Sequence, residues 1–235
     1  MCNLTKIFKF LLQTATFYGI ILVRLNIKDD NMNKKPNEIK LMTQPKTKAG
    51  LSKMTKLIEA AEELFTEKGF YQTSIADICK RAGTAVGTFY IYFESKTDIY
   101  NYMMKAYEAD IKEHLSEAIR SCSTRYERER EGIKGFIKYA VENPSVYNVV
   151  WGSLAVDREL FQRYYVSFAN GYARALAKDE DELSEIDVTA VSYMLMGITN
   201  FLGLKAIFEN MSDEDIDKLV DETLMPFLSN GIFKH

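Results

Sequence analysis

Residues 73–96 read TSIADICKRAGTAVGTFYIYFESK, and this stretch decides the fold. Ser74 followed by Asp77 resembles a capping box, so the spacing predicts a helix that begins near Ile75. Gly83 is the natural end of that helix, because glycine enters the left-handed backbone region without the steric cost of a β-carbon. A short helix that ends in a glycine turn is therefore the first element of the pattern.

A second short helix is predicted immediately after the turn, over about residues 85–93, with Thr84 as its cap. Its apolar side chains recur at three- and four-residue spacing: Val86, Phe89, Tyr90 and Phe93. Ser95 repeats the capping signature with Asp98, so a longer helix is expected from about Lys96. Two short helices and the start of a third around a glycine turn are typical of a helix-turn-helix that binds duplex DNA.

The wider stretch, residues 55–96, resembles the N-terminal domain of the TetR family of transcriptional regulators. The resemblance covers about a fifth of the chain. It depends on residues in the usual order and spacing, namely Ala60-Ala61, Leu64-Phe65, Gly69-Phe70, Ala82-Gly83, Gly87, Tyr90, Phe93 and Lys96. The fold class it implies is all-α, with an N-terminal three-helix helix-turn-helix DNA-binding domain and a C-terminal helical ligand-binding and dimerisation domain.

The resemblance also implies a set of DNA-binding residues. The second short helix would lie in the major groove and face bases or nearby phosphates with Thr84, Ala85, Val86, Gly87 and Thr88. Tyr90 and Tyr92 would point toward the DNA backbone, and Lys96 matches the family's phosphate-contacting lysine. Thr73 and Ser74 would offer hydroxyls and backbone amides to phosphate at a helix N-terminus, where the helix dipole favours anions.

The predicted reading helix has an unusual surface for a DNA-binding protein. Between Thr84 and Phe93 it contains no Arg, Lys, Asn or Gln, the residues that form bidentate contacts with guanine or adenine. Specificity would depend on threonine hydroxyls, on Ala85 or Val86 against thymine methyls, and on DNA shape. We therefore expect modest sequence specificity and an affinity dominated by phosphate contacts.

The charge distribution favours the same orientation. Residues 1–58 contain 11 Lys and Arg against 3 Asp and Glu, whereas the remaining chain contains 19 against 30. A basic arm before a helix-turn-helix, with an acidic body away from the phosphates, suits DNA binding. The lysines placed to follow the DNA backbone are Lys46, Lys48, Lys53 and Lys56.

Three segments are predicted: an N-terminal extension over 1–45, a DNA-binding domain over 46–97, and a helical effector-binding and dimerisation domain over 98–235. The apolar run at 8–23 is short for a transmembrane helix, which needs about 20 apolar residues. We expect 1–41 to be a disordered or non-native extension, with initiation at Met32 or Met42. A membrane-tethered regulator is the alternative.

The cysteine and histidine content limits which disulfides, metal sites and acid–base pairs the chain can form. Three widely spaced cysteines argue against a disulfide framework and suit a reducing cytoplasm, and Cys79 is expected to be a small packed side chain. His114 and His235 are the only histidines, so a metal cluster or a histidine acid–base pair is poorly supplied. We expect a cytoplasmic protein without catalytic activity, metal or cofactor.

The C-terminal half has helical apolar spacing throughout. We predict a helix over 187–208 with an apolar stripe that includes Leu195, Phe201 and Leu202, and a final helix capped by Ser212. In the TetR family such a final pair packs against its twin in a four-helix dimer interface. A homodimer would present two reading helices about one DNA turn apart, which matches a palindrome.

A pocket for a small apolar or aromatic effector is predicted between the reading domain and the last helices. Aromatic side chains with phenolic handles suit such a pocket. The candidate lining residues are Phe136, Tyr139, Tyr147, Trp151, Tyr165, Phe168, Tyr172 and Tyr193. The function predicted is a ligand-responsive repressor that effector binding releases from DNA, and the alternative is a helical adaptor without DNA or effector binding.

Overall fold

The computed structural model describes residues 42–230, which are helical and contain no β-strand. The all-α prediction is therefore confirmed for this part of the chain. The predictions about residues 1–41 concern a segment outside the described residues. Met42, one of the two predicted start sites, is described and is exposed.

Ten α-helices follow one another along the described chain. Their bounds are α1 Lys48–Gln72, α2 Ile75–Arg81, α3 Val86–Tyr92, α4 Lys96–Ala118, α5 Arg125–Glu142, α6 Pro144–Val156, α7 Arg158–Leu176, α8 Val188–Glu209, α9 Asp213–Leu219 and α10 Met225–Asn230. A 3₁₀ segment, Ala177–Glu182, follows α7, and a π-helical turn, Val220–Leu224, joins α9 to α10.

The described residues divide into two compact units. One contains residues 42–107 together with 148–156, and the other contains 108–147 together with 157–230. The division between the units falls inside α4, after Tyr107. Most of α6 belongs to the first unit, within which Tyr100 donates a hydrogen bond of 2.5 Å to the Val149 carbonyl oxygen.

The first unit has a core built by α1 to α4. Side chains at helical spacing along α1 and α4 are fully buried with the inward residues of the two short helices. The largest of these are Met54, Leu57, Ile58, Ile78, Phe89, Phe93, Ile99, Tyr100, Met103, Met104 and Tyr107. Cys79 is a buried free cysteine, as its position on the inner side of α2 predicts.

The turn between α2 and α3 has the geometry that the sequence predicts. Gly83 has a φ of 64°, and the amide of Thr84 donates to the Cys79 carbonyl oxygen at 2.9 Å. This is a Schellman ending, which closes the carbonyl end of α2. Gly69 has a φ of 80° and breaks the regular geometry near the end of α1.

In the second unit, the π-helical turn and its flanking helices pack against α5 and α8 through a small apolar cluster. Its buried members are Ile133, Ile137, Ala206, Ile216, Val220, Leu224 and Met225. A β-carbon at Gly203 would lie 3.5 Å from the Phe136 ring, so this glycine permits close contact inside the unit. The predicted capping box of Ser212 with Asp215 is present at α9.

The polar stretch at 121–131, which its composition predicts to be a connection, contains the start of a helix. Helix α5 begins at Arg125, where Thr124 and Glu127 form a capping box. The sequence contains the T-x-x-E spacing of a capping box at this point. The many charged residues beside it make the stretch resemble a surface connection instead. Asn143-Pro144 does end α5, and Pro144 is also the first residue of α6, since the first helical position needs no free amide.

Candidate nucleic-acid interface and ligand cavity

Helix α3 presents an outward face above a packed inner face. Phe89 and Phe93 are buried, whereas Val86 is 45% and Tyr90 is 49% exposed. The other predicted reading residues are exposed at Ala85 and Gly87 and half-buried at Thr84 and Thr88. The helix is therefore seated by two rings and leaves a surface of small, hydroxyl and aromatic side chains available to a partner.

The predicted cap of α3 is wrong. The N-cap residue is Ala85, which makes no side-chain capping hydrogen bond, and the Thr84 hydroxyl oxygen is buried. Thr84 instead serves the Schellman ending of α2 through its backbone amide. The first amides of α3 consequently have no side-chain partner from the cap residue.

The N-terminus of α2 is closed by the chain's own residues. The Ser74 amide donates to the Asp77 carboxylate at 3.0 Å, and the Asp77 amide donates to the Ser74 hydroxyl at 3.1 Å. The bond from the Ser74 amide and the Lys68 ammonium, 2.9 Å from Asp77, hold the pKa of that carboxyl well below its usual range. The position that the sequence predicted for a phosphate therefore already contains a carboxylate.

Three predicted phosphate contacts have internal partners instead. Thr73 is buried, and its hydroxyl donates to the Gly69 carbonyl oxygen at 2.8 Å. Tyr92 is also buried, and its hydroxyl donates to the Gly50 carbonyl oxygen at 3.0 Å. Thr73 therefore closes the carbonyl end of α1, and Tyr92 joins the end of α3 to the first turn of α1, so neither side chain lies free toward DNA as expected.

The third is Lys96, whose ammonium closes the carbonyl end of α1. It donates to the carbonyl oxygens of Phe70 at 2.5 Å and Thr73 at 2.6 Å, and it lies 4.2 Å from the centre of the Phe70 ring. Partial burial lowers the pKa of Lys96. Because two of its three donors are used internally, its main role in the structure is to join α4 to the end of α1.

The lysines near the start of α1 are exposed. Lys46, Lys48, Lys53 and Lys56 all lie on the surface of the first unit. Thr47 caps this helix by accepting a hydrogen bond of 3.0 Å from the Gly50 amide. Lys53 therefore stays a predicted phosphate contact, on an ordered helix rather than on a loose arm.

The second unit contains a cavity of about 450 Å³, within the size range of small-molecule sites. Its walls are mostly apolar and aromatic, from Leu115, Ile119, Ile133, Phe136, Tyr164, Tyr165, Phe168, Tyr172, Ala175 and Met196. Burial raises the pKa of Tyr164 and Tyr165, so both phenols stay neutral. The cavity can hold an apolar chain or ring.

The polar side chains that line this cavity include four basic ones: Lys112, Arg125, Arg128 and Arg174. Arg125 forms an ion pair with the buried Glu129, which also accepts a hydrogen bond from the Tyr172 hydroxyl. Burial raises the pKa of Glu129, and the adjacent Arg125 opposes that rise. The cavity thus combines apolar walls with several basic side chains.

Half of the predicted effector residues line this cavity, namely Phe136, Tyr165, Phe168 and Tyr172. The other four lie elsewhere. The Tyr139 hydroxyl donates to Asp110 at 2.5 Å, and the Tyr147 hydroxyl donates to the Asn200 carbonyl oxygen. Trp151 belongs to the first unit, and Tyr193 is on the exposed side of α8.

Sequence reasoning missed the basic residues of the cavity. Arg125 and Arg128 lie in a strongly charged stretch that reads as a solvated surface, and Lys112 and Arg174 are single charges on amphipathic helices. Their convergence depends on how α4, α5 and α7 pack.

Helix α8 has a largely exposed apolar side. Met194 is 63% and Phe208 is 75% exposed, with Phe201 between them at seven-residue spacing. The predicted grouping of Phe201 with Leu195 and Leu202 is wrong, because Leu195 faces the core and Phe201 faces outward. By length and composition, α8 is the one helix in the described residues apolar enough to cross a membrane. A helix buried on one side and paired on the other has the same composition.

The described residues contain no cluster of three or more His, Cys, Asp or Glu side chains arranged to hold a metal ion.

Comparison with known proteins finds a family match within the first unit. Residues 57–103 match the family model described as bacterial regulatory proteins, tetR family. The HTH-type transcriptional regulator YvdT of Bacillus subtilis is 42% identical over 76 residues, which are 32% of this chain and 36% of that protein. The fatty acid metabolism regulator protein of the same organism is 36% identical over 76 residues, 32% of this chain and 39% of the relative. The chain thus matches little more than a third of the length of these relatives.

Solved structures match over more of the chain. The fatty acid degradation regulator FadR from Bacillus halodurans has a TM-score of 0.67 at 18% identity, covering 78% of this chain and 97% of that one. FadR from Bacillus subtilis in complex with stearoyl-CoA has a TM-score of 0.59 at 19% identity, covering 77% and 100%. At these identities the likeness is one of fold, and it includes the C-terminal helices.

Proposed function

The chain belongs to the TetR family of DNA-binding transcriptional regulators, and we propose that it is a repressor that binds a palindromic operator as a homodimer and is released by a long-chain acyl effector. As a regulator of chromosomal genes it would act in the cytoplasm. Its chemistry would be binding rather than catalysis.

One observation carries the proposal. Helix α3 follows a Schellman turn at Gly83, is seated by Phe89 and Phe93, and leaves Val86 and Tyr90 exposed. That is the arrangement in which a recognition helix can enter the major groove. The exposed lysines at the start of α1 supply positive charge to the same unit.

The exposed face of α3 bears on how a site would be selected. With no Arg, Lys, Asn or Gln between Thr84 and Phe93, the helix has hydroxyl and methyl groups to offer to base edges. We expect the protein to prefer sites through thymine methyls and DNA shape, with modest penalties for single base changes.

The exposed side of α8 supports a homodimer. Met194, Phe201 and Phe208 form a line of large apolar side chains, and the β-carbon position of Gly197 is open. Soluble proteins rarely leave such a line exposed to water, and a second copy would cover it. Two reading helices would then be related by a two-fold axis, as a palindrome requires.

The cavity of the second unit supports the effector. Its aromatic and aliphatic walls suit a hydrocarbon chain, and its basic side chains suit an acidic group at the end of that chain. The structure of FadR from Bacillus subtilis contains stearoyl-CoA, a molecule of this chemistry. Helix α4 runs from Lys96 to the cavity-lining Lys112 and Leu115, so a ligand that favours one position of this helix would bias the protein between two states.

The test is binding to a fluorescent duplex containing the promoter region of the protein's own gene, measured by anisotropy against excess unrelated duplex. We expect selective retention, and release on addition of hexadecanoyl-CoA. Retention of no duplex at low ionic strength would favour the helical adaptor. Selective retention that no acyl ligand reverses would leave the DNA-binding role intact and remove the proposed effector.

A further inference from the structure

Arg125 and Arg128 line the cavity and hold two carboxylates of the chain itself. Arg128 lies 2.9 Å from Asp179 and 3.6 Å from Glu182, and Arg125 lies 3.6 Å from Asp179. The backbone amide of Arg125, the first residue of α5, donates to Glu182 at 2.7 Å. Both carboxylates come from the 3₁₀ segment Ala177–Glu182.

The groups that hold these carboxylates make a strong anion site. Two guanidinium groups and the N-terminal amide of an 18-residue helix converge on them. Guanidinium groups and helix N-termini are the donors that proteins use for phosphate and carboxylate ligands. Both arginines also line the apolar cavity, where a chain attached to such an anion would have room.

Arg125 retains a further unused donor. Its side chain is 9% exposed, yet its Nε atom is buried without a hydrogen-bond partner. An unpaired buried donor costs free energy, which an added acceptor would recover. Glu129 pairs with the Nη2 atom of Arg125 and would stay there. An incoming anion would therefore replace Asp179 and Glu182 rather than Glu129.

We propose that Arg125 and Arg128 form the subsite for the anionic group of the effector, and that Asp179 and Glu182 occupy it until the ligand displaces them. The proposal deepens the proposed function, since it takes the cavity to be the effector site. The ligand chemistry is an anionic oxygen group, carboxylate or phosphate, at the end of an apolar chain. Displacement frees the segment Ala177–Glu182 from α5.

The experiment compares three probes that share a 16-carbon chain: hexadecanoate, hexadecanoyl-CoA and hexadecan-1-ol. Calorimetric titration of the full chain gives the affinities, with the two anionic probes kept below their micelle concentrations and the alcohol below its solubility limit. In the double variant Asp179→Asn, Glu182→Gln the internal competitors are neutral, so we expect an anionic probe to bind about tenfold more tightly. Hexadecan-1-ol should bind as it does to the unchanged protein.

The matched control is Asp181→Asn, an exposed carboxylate in the same segment. It should change no affinity. Arg128→Gln should weaken the anionic probes toward the affinity of the alcohol. If this variant unfolds, Arg128→Lys keeps the charge and loses the paired hydrogen bonds, and a smaller loss is expected.

The probe that gains affinity in the double variant identifies the anionic group that the subsite binds. A gain with hexadecanoate alone assigns the subsite to a carboxylate, and a gain with hexadecanoyl-CoA alone assigns it to phosphate. An unchanged affinity for both anions overturns the proposal, as does an equal gain with the alcohol, which would mean that the segment only narrows the cavity. Binding of no probe also overturns it.

Failure of the proposed function gives a different result. If the probes bind as expected and the promoter duplex is never retained, the regulatory role fails and the anion subsite stands. If the duplex is retained and released by ligand while the double variant behaves like the unchanged protein, the subsite fails alone.

Discussion

The ammonium of Lys96 donates a hydrogen bond of 2.6 Å to the carbonyl oxygen of Thr73. With the bond to Phe70, it closes the irregular end of α1 after Gly69. A lysine that family resemblance assigns to phosphate is thus also a structural residue.

Lys96→Met should therefore destabilise the first unit. Methionine keeps the apolar stem against the Phe70 ring and removes the charged donor, so we expect the free energy of unfolding to fall by about 2 kcal/mol. Urea unfolding followed by the fluorescence of Trp151, the single tryptophan, reports on this unit. Lys80→Met, at an exposed lysine, should cost little.

DNA binding by the same variant separates the two roles of Lys96. With two donors committed to carbonyl oxygens, we expect the slope of log affinity against log salt to stay unchanged. A fall of the slope by about one would instead mean that Lys96 contacts a DNA phosphate. The slopes of the unchanged protein and of the variant are both measured at a temperature where the variant is folded.

Local sequence signals predicted the elements that depend only on neighbours along the chain. Ser74 with Asp77, Ser212 with Asp215 and the glycine at 83 each specify a cap through bonds within a few residues. The start of α4 at Lys96 follows the same rule, with the Asp98 amide bonded to the Ser95 hydroxyl at 3.2 Å.

The side-chain partners could not be predicted in this way. Thr73 and Lys96 meet across 23 residues, and Arg128 and Asp179 across 51, through the packing of different helices. Helix α8 is apolar on every side, so helical periodicity does not tell its buried face from its exposed one. That is why the sequence placed Phe201 on one stripe with Leu195, although Leu195 is buried and Phe201 is exposed.

Gly87→Ala separates stability from recognition. A β-carbon at Gly87 would meet no atom within 4 Å, and the residue has ordinary helical backbone. The variant should gain about 0.5–1 kcal/mol of stability, since alanine loses less backbone freedom in a helix. If the helix approaches DNA closely here, operator affinity should nevertheless fall, as measured by anisotropy.

Gly171→Ala is the matched control, because it also has open space around the added β-carbon and lies in α7 of the second unit. It should stabilise without changing operator affinity in the absence of ligand. Equal DNA binding by the Gly87 variant would place the duplex away from this part of α3.

Asp221 gives the second unit a defined dependence on pH. Hydrogen bonds from Arg130, at 2.6 and 2.7 Å, and from Lys134 at 2.9 Å lower the pKa of Asp221 to about 2. Its stabilising contribution is present above the unfolded pKa of about 4 and is lost as the pH falls toward 2.

Asp221→Asn should therefore lower stability at pH 6 and have a smaller effect at pH 3. Urea unfolding followed by circular dichroism at both values checks this. Glu222→Gln is the control, since its carboxylate is exposed and next in the chain. An equal loss at both pH values would mean that charge on Asp221 contributes nothing, and that the asparagine merely packs less well.

Met194→Glu should convert the protein to a monomer if the exposed side of α8 is the dimer interface. A buried, unpaired carboxylate at each of two symmetric positions would cost more than a typical interface can supply. Light scattering after gel filtration at micromolar concentration gives the mass directly. Tyr126→Glu is the matched control, because Tyr126 is a 51% exposed aromatic residue on α5 of the same unit and should leave the dimer intact. Dissociation by both variants, or a monomeric unchanged protein, would refute the assignment. In that case a single reading helix would have to bind half of the palindrome alone.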